Sequence, residues 1–286
     1  MNKEEKSMAG TLYLCGTPIG NLNDLSPRAV EILSSADLIA AEDTRHSLNI
    51  LNHFGIKTPM TSYHEHNRKS KGEYLISLLE EGKNIALVTD AGMPGISDPG
   101  EDLAALCIEK GIPVTTVPGP TAFVSALVLS GFSGRRFIFE GFLPSNKKGK
   151  NQVLESLKRE LRTVIFYEAP HRLTQTLSEL QKALGDRNAA CVREITKIHE
   201  EVKRGTLGEL YEFYSENAPR GEFVIVIEGF SAEALKEEET KKFEAMSLEE
   251  HMEMYTSQGM SEKEAMKLVA KDRGLTKRDI YSELKK

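Results

Sequence analysis

Cysteine is scarce in this chain of 286 residues. Its three cysteines, Cys15, Cys107 and Cys191, are far apart and match no metal or redox spacing. That excludes a disulfide framework and points to a reducing compartment, the cytoplasm. No apolar run approaches the roughly 20 residues of a membrane-spanning helix. The leader MNKEEKSMAG lacks the apolar stretch of a secretory signal. Positive charge is not in excess: 37 Lys and Arg face 43 Asp and Glu, a formal net charge of -6. Contact with nucleic acid must therefore come from local basic patches. The dinucleotide fingerprint G-x-G-x-x-G and the P-loop G-K-[ST] are both missing, which argues against a nicotinamide oxidoreductase and a P-loop enzyme.

What is present is a soluble globular composition, 40% hydrophobic and 28% charged, long enough for two packed domains and an appendage. Its centre is NIALVTDAGMPGISDPG, residues 84–100. Ile85 to Val88 is a short apolar run of strand type, Thr89 to Gly100 is a Gly/Pro-rich loop, and Glu101 to Leu106 opens a helix. Open α/β sheets bind ligands beyond the carboxyl ends of their strands, in loops of this kind. With Asp90 and Asp98 and no basic residue, the loop suits a cationic or polar uncharged ligand better than a phosphate.

Further strands are expected at 11–17, 37–42, 58–65 and 112–117, with helices from Ser26-Pro27 to Ser35, from Thr44 to Phe54 and up to Glu81. This alternation implies α/β architecture with a largely parallel sheet, assigned to residues 10–118. Past Pro118-Gly119-Pro120, Thr121 is placed to cap a helix over Ala122 to Ser130. Five strand candidates follow (136–142, 163–168, 189–195, 200–205, 222–228), with helices at 151–161, 171–184 and 207–216. They imply a second, mixed-sheet α/β domain over 119–230. Residues 231–244 are charged and helix-prone, as in a linker, and 245–286 form a helix-turn-helix-like helical module whose turns fall at Gly259 and Gly274. From Lys263 onward that module has eight Lys or Arg against four Asp or Glu, which suits either nucleic acid or packing on the body or a partner subunit.

Several polar groups stand at strand ends. Glu42, Asp43 and Arg45 can position or deprotonate a hydroxyl; equally, the acids can cap the next helix with Arg45 as a surface pair. His64 and His66 share a strand face if the strand continues, suiting a general base or a solvated strand end. No third ligand is near, so no metal site is expected. Asn146 to Lys150 reads as a flexible basic loop, a phosphate contact or merely a solvated turn, while Tyr167-Glu168 and Arg193 to Lys197 fit site walls or ordinary strand ends.

Together, TPIGNLNDLS (17–26), AEDTR (41–45), TDAGMPGISDPG (89–100), PGPTA (118–122), GFLP (141–144), EAPHR (168–172), REITKIHEE (193–201) and GEFVIVIEG (221–229) resemble the small-subunit ribosomal RNA methyltransferase I family of the tetrapyrrole methylase superfamily. The resemblance runs in order over about residues 10–230, and the tail resembles the helical appendage of many members.

That resemblance implies 2′-O-methylation of a cytidine in the decoding region of 16S rRNA, within the 30S subunit, with S-adenosylmethionine as donor and a homodimeric enzyme. It places cofactor contacts on Pro18, on Asp90, Gly92, Met93, Pro94 and Ile96, and on Thr121, Ala122, Tyr167 and Glu194. The candidates for catalysis are Glu42, Asp43 and His64 as base, with Arg45 and Lys197 orienting backbone phosphate. Loop 147–150 and the tail are candidates for rRNA contact. Ala169 stands where Ser is commoner in the family and Met93 where Thr is frequent, so neither position offers a hydroxyl. The rivals are a tetrapyrrole C-methyltransferase and a non-catalytic helix-turn-helix nucleic-acid binder.

Overall fold

The computed structural model describes residues 9–235, 243 and 245–284. The first sheet is parallel, in the order β3-β2-β4-β1-β5, from β1 (Leu12–Cys15), β2 (Leu38–Ala41), β3 (Met60–Ser62), β4 (Ile85–Val88) and β5 (Val114–Val117). Its central strand β4 is buried at every residue, which is why Ile85 to Val88 reads as a continuous apolar run rather than an alternating one. Helices α1 (Pro27–Ser35) and α2 (Thr44–His53) cover one face through Leu33, Ile50 and Leu51, and α3 (Arg68–Glu80) and α4 (Gly100–Glu109) cover the other through Leu75, Leu79 and Leu103. Local chemistry sets the helix starts: the Ser26 hydroxyl accepts from the Ala29 amide at 3.1 Å, with Pro27 in the first turn.

The second sheet is mixed, in the order β6-β7-β10-β8-β9: β6 (Phe137–Phe142), β7 (Thr163–Glu168), β8 (Asn188–Arg193), β9 (Glu201–Thr206) and β10 (Phe223–Ile227). Only β6 and β7 run parallel; the remaining pairs are antiparallel. Helices α6 (Lys147–Leu157), α7 (Pro170–Leu184) and α8 (Leu207–Glu216) close one face. Helix α5 (Ala122–Ser130) packs Ala126 and Leu127 on the other, against Ile165, Val192, Val224 and Val226. Ile19, from the loop after β1, joins that same cluster, so the two sheets meet there.

Three local expectations are corrected. Asn146 to Lys150 is not a free loop. The Asn146 side chain accepts from the Gly149 amide at 2.7 Å and starts α6 four residues earlier than expected. Thr121 occupies the N-cap position of α5, but its side chain makes no capping bond. Strand β3 stops at Ser62, because the Asn67 carboxamide accepts from the His64 amide at 2.9 Å and curls 64–67 into a turn. At the far end, α9 (Leu248–Thr256), α10 (Glu262–Asp272) and α11 (Lys277–Leu284) pack around Val269, Ala270 and Ile280, with capping boxes at Ser247 and Ser261. Most of the expected linker, 236–242 and 244, lies outside the described residues.

Candidate active site

Parallel strands deliver their carboxyl ends to one edge, so the loops after β1, β2, β4 and β5 converge there. The β1 and β4 loops are tied by a two-way bridge. The Thr17 amide donates to the Gly92 carbonyl at 2.9 Å, and the Gly92 amide returns a bond at 3.2 Å. The β1 and β5 loops meet backbone to backbone; a Cβ on Gly16 would sit 2.6 Å from the Gly119 Cα.

The β4 loop is shaped from within. Asp98 accepts from the amides of Gly95 (2.9 Å), Ile96 (3.2 Å) and Gly100 (2.7 Å), which fixes both the loop and the start of α4. Asp90 accepts from the Asp43 amide at 3.0 Å. Both carboxylates thus also hold backbone, a structural role that the sequence did not show.

Between this edge and the second sheet lies a cavity of about 300 Å³. The first sheet contributes Ile19, Ala91, Gly92, Met93 and Ile96; α5 contributes Thr121 and Ala122. The second sheet contributes Phe142, the Tyr167 to Pro170 turn, Glu194, Ile195 and Glu222 to Val224. Register explains the second wall: Val224 pairs with both Tyr167 and Val192, so alternate residues of β7, β8 and β10 present one face. The Tyr167 hydroxyl accepts from the Phe123 amide at 3.3 Å, anchoring the ring to the first turn of α5. Burial raises its pKa, so it stays a neutral phenol.

One charged cluster borders the cavity. Lys197 Nζ lies 3.0 Å from Glu194 Oε1 and 2.8 Å from Glu222 Oε2, a lysine bridging two wall carboxylates. Glu194 and Thr196 both adopt positive φ, at 50° and 65°, the left-handed conformation that non-glycine residues rarely hold. Gly221 faces them at φ 82°, where a Cβ would meet the Glu194 carboxyl at 2.6 Å.

The expected cofactor positions therefore divide. Gly92, Met93, Ile96, Thr121, Ala122, Tyr167 and Glu194 line the cavity. Pro18, Asp90 and Pro94 do not; Pro18 and Pro94 are buried, and Asp90 accepts from the Asp43 amide. Ile19, Phe142 and Glu222 were missed. The period-2 pattern of β10 points to Glu222, two residues ahead of Val224 on the same face.

Of the catalytic candidates, Asp43 caps α2 through the Arg45 amide at 2.8 Å and pairs with the Arg45 guanidinium at 2.9 Å. Those bonds hold its carboxyl down at about 2, a poor base. The Arg45 side chain is 90% exposed and takes the surface-pair role. His64 belongs to the turn after β3, its ring Nε2 3.3 Å from Asn67 Nδ2, and does not line the cavity. Lys197 is engaged by two carboxylates rather than turned toward an open phosphate position. Glu42 does not line the cavity either; it stands at the end of β2 beside the β4 loop that does, accepting a 2.6 Å bond from the Thr89 hydroxyl. Among the described residues no group of three or more His, Cys, Asp or Glu is placed to hold a metal ion.

Residues 11–211 match the tetrapyrrole (corrin/porphyrin) methylases. A Synechocystis ribosomal RNA small subunit methyltransferase I is 47% identical over 273 residues, covering 95% of this chain and 96% of the relative. The chain belongs to the ribosomal RNA small subunit methyltransferase I family. The Bacillus subtilis member is 47% identical over 281 residues, 98% of this chain and 96% of its own. In fold, the chain is similar to uroporphyrin-III-C-methyltransferase from Thermus thermophilus, with a TM-score of 0.55 at 20% identity, over 76% of this chain and 94% of that one. The family match at 11–211 covers most of the two-sheet body, and the α9–α11 module lies outside it.

Proposed function

We propose that this chain methylates the RNA of the small ribosomal subunit, taking the methyl group from S-adenosylmethionine held in the cavity between the sheets. Near-full-length identity to the methyltransferase I relatives carries this proposal. The cavity fits the donor. Its walls of Ile19, Met93, Ala122 and Val224 suit a nucleoside. The Glu194 and Glu222 carboxylates give one wall an acidic edge suited to a cationic ligand. When bound, the donor supplies an electrophilic methyl group.

The finer assignment is 2′-O-methylation of a cytidine in the decoding region of 16S rRNA, on the 30S subunit and in the cytoplasm. A ribose hydroxyl is a weak nucleophile, so the protein's task is to position it and to accept its proton as the new bond forms. We assign the proton to Glu42, whose orientation the Thr89 hydroxyl fixes. Lys147 and Lys182, which line a groove between α6 and α7, and the basic residues of the α9–α11 module are the proposed phosphate contacts. Helix α5 exposes Val124 (46%) and Val128 (76%), one helical turn apart. We assign that face to the homodimer contact, so V128D should run as a monomer in sedimentation while the wild type runs as a dimer. No described helix is long and apolar enough to cross a membrane. Methyl transfer from labelled donor, offered 30S subunits lacking the modification beside a tetrapyrrole acceptor, tests the function. Label in the subunit RNA supports it; label only in the tetrapyrrole overturns it.

A further inference from the structure

The rim of the cavity carries two large apolar side chains that stay open to solvent, Phe142 at 50% and Ile96 at 41% exposure. They come from different sheets. Phe142 ends β6 and Ile96 belongs to the β4 loop, and the two segments meet where a Cβ on Gly141 would lie 3.5 Å from the Ser97 hydroxyl. Gly141 sits at φ 67°, and the β6–β7 register shifts between Phe139 and Gly141. Such an irregularity re-aims the residue that follows, here Phe142. Its ring meets Tyr167 edge to face, with centroids 5.7 Å apart at 62°, so Tyr167 does not stack on it face to face.

Turning the target nucleotide out of its base stack, as enzymes that act on bases do, brings its ribose hydroxyl to a recessed donor. The extruded base loses its stacking partners and regains that energy on an aromatic or apolar surface. We propose that Phe142, with Ile96 beside it, is the platform on which the base of the target nucleotide stacks. This rests on the rRNA ribose being the acceptor. The platform is contiguous with the cavity and carries no charge, so it contributes to substrate recognition without the salt dependence of phosphate contacts. Phe142 helps to line the mouth of the cavity, and its exposed face is given to the nucleotide as a positioning surface.

The test is steady-state methyl transfer to 30S subunits lacking the modification, paired with calorimetric binding of S-adenosylmethionine, for the wild type, F142A, F142W and I96A. Stacking is worth ~1–3 kcal/mol per base, so F142A should raise the KM for subunits roughly 5- to 150-fold, with any rise in donor Kd from its place at the cavity mouth several-fold smaller. F142W, which keeps a stacking surface, should recover most of that loss, and I96A should show a smaller rise. An unchanged KM in F142A overturns the proposal, as does a loss of donor affinity as large as the KM rise, which would mean that Phe142 serves the donor alone. A wild type that binds donor but leaves subunits unlabelled overturns the acceptor assignment instead, and this platform with it.

Discussion

Asp98 is the residue on which the shape of the donor pocket depends most. Its carboxylate gathers three backbone amides, of Gly95, Ile96 and Gly100, at 2.7 to 3.2 Å. Replacing it with alanine releases all three at once and leaves the start of α4 without its acceptor. Hydrogen bonds to a charged group are worth ~1.5–3 kcal/mol each when shielded. This loop is only partly buried, so water takes over part of that role, and the N-cap scale of ~0.5–2 kcal/mol applies to each released end. A combined loss of ~2–3 kcal/mol follows, directed at the loop that presents Gly92, Met93 and Ile96 to the cavity. A binding-competent loop populated less often weakens apparent affinity in proportion, so D98A should bind S-adenosylmethionine ~10- to 100-fold more weakly by calorimetry. D98N keeps one carbonyl oxygen as acceptor and should fall between D98A and wild type. If D98A binds within twofold of wild type, the loop does not form the donor wall in the manner described.

Three further outcomes follow from the geometry. Glu42→Gln should lower kcat by ~100- to 10,000-fold with donor Kd unchanged, the range for loss of a general base; full turnover removes Glu42 from that role. In the α9–α11 module, the His251 ring is fully buried, stacked 4.3 Å from Phe243, with Arg273 donating to Nδ1 at 3.1 Å and Asp272, itself bonded by Tyr255, 3.4 Å from Nε2. Burial and then Arg273 push the imidazole below its ordinary 6.5. The unfolded module therefore binds the proton more readily, and its stability, complete above about 6.5, should fall as pH drops through that value. Hydrogen exchange of the α9–α11 amides between pH 7.5 and 5.5 measures this, and a flat profile contradicts it. Truncation after Ser231 should weaken subunit binding and reduce its salt slope; an unchanged slope would make the module structural rather than an RNA contact.

Most strands and helices were legible because burial writes itself into periodicity. Ile85 to Val88 is apolar throughout because both faces of β4 are covered, and Ser26-Pro27 marks a helix start through its capping hydroxyl. What was not legible depended on side chains that serve the backbone. Asp90 and Asp98 look like ligand-facing acids in the sequence, yet each holds amides of the chain itself. Asn146 makes a Lys-Lys-Gly-Lys stretch helical where its composition suggests a loop, and Asn67 ends β3 before His64. Phe142 reaches the cavity through the register of β6 on β7, a long-range property that no local window contains, whereas the period-2 pattern of β10 pointed to Glu222. Lys197 was legible as a polar residue after a strand, but its two carboxylate partners lie 3 and 25 residues away, and the more distant one emerges only from the fold.

The most direct test of the central claim is to map the product. Subunits lacking the modification would be incubated with the enzyme and labelled S-adenosylmethionine, and their 16S rRNA then hydrolysed in alkali, which spares the bond next to a 2′-O-methylated ribose. The account predicts label confined to one alkali-resistant dinucleotide, with a cytidine at its 5′ position, from the decoding region. Label on a base, label spread over many sites, or tight donor binding without any label in the RNA would contradict it.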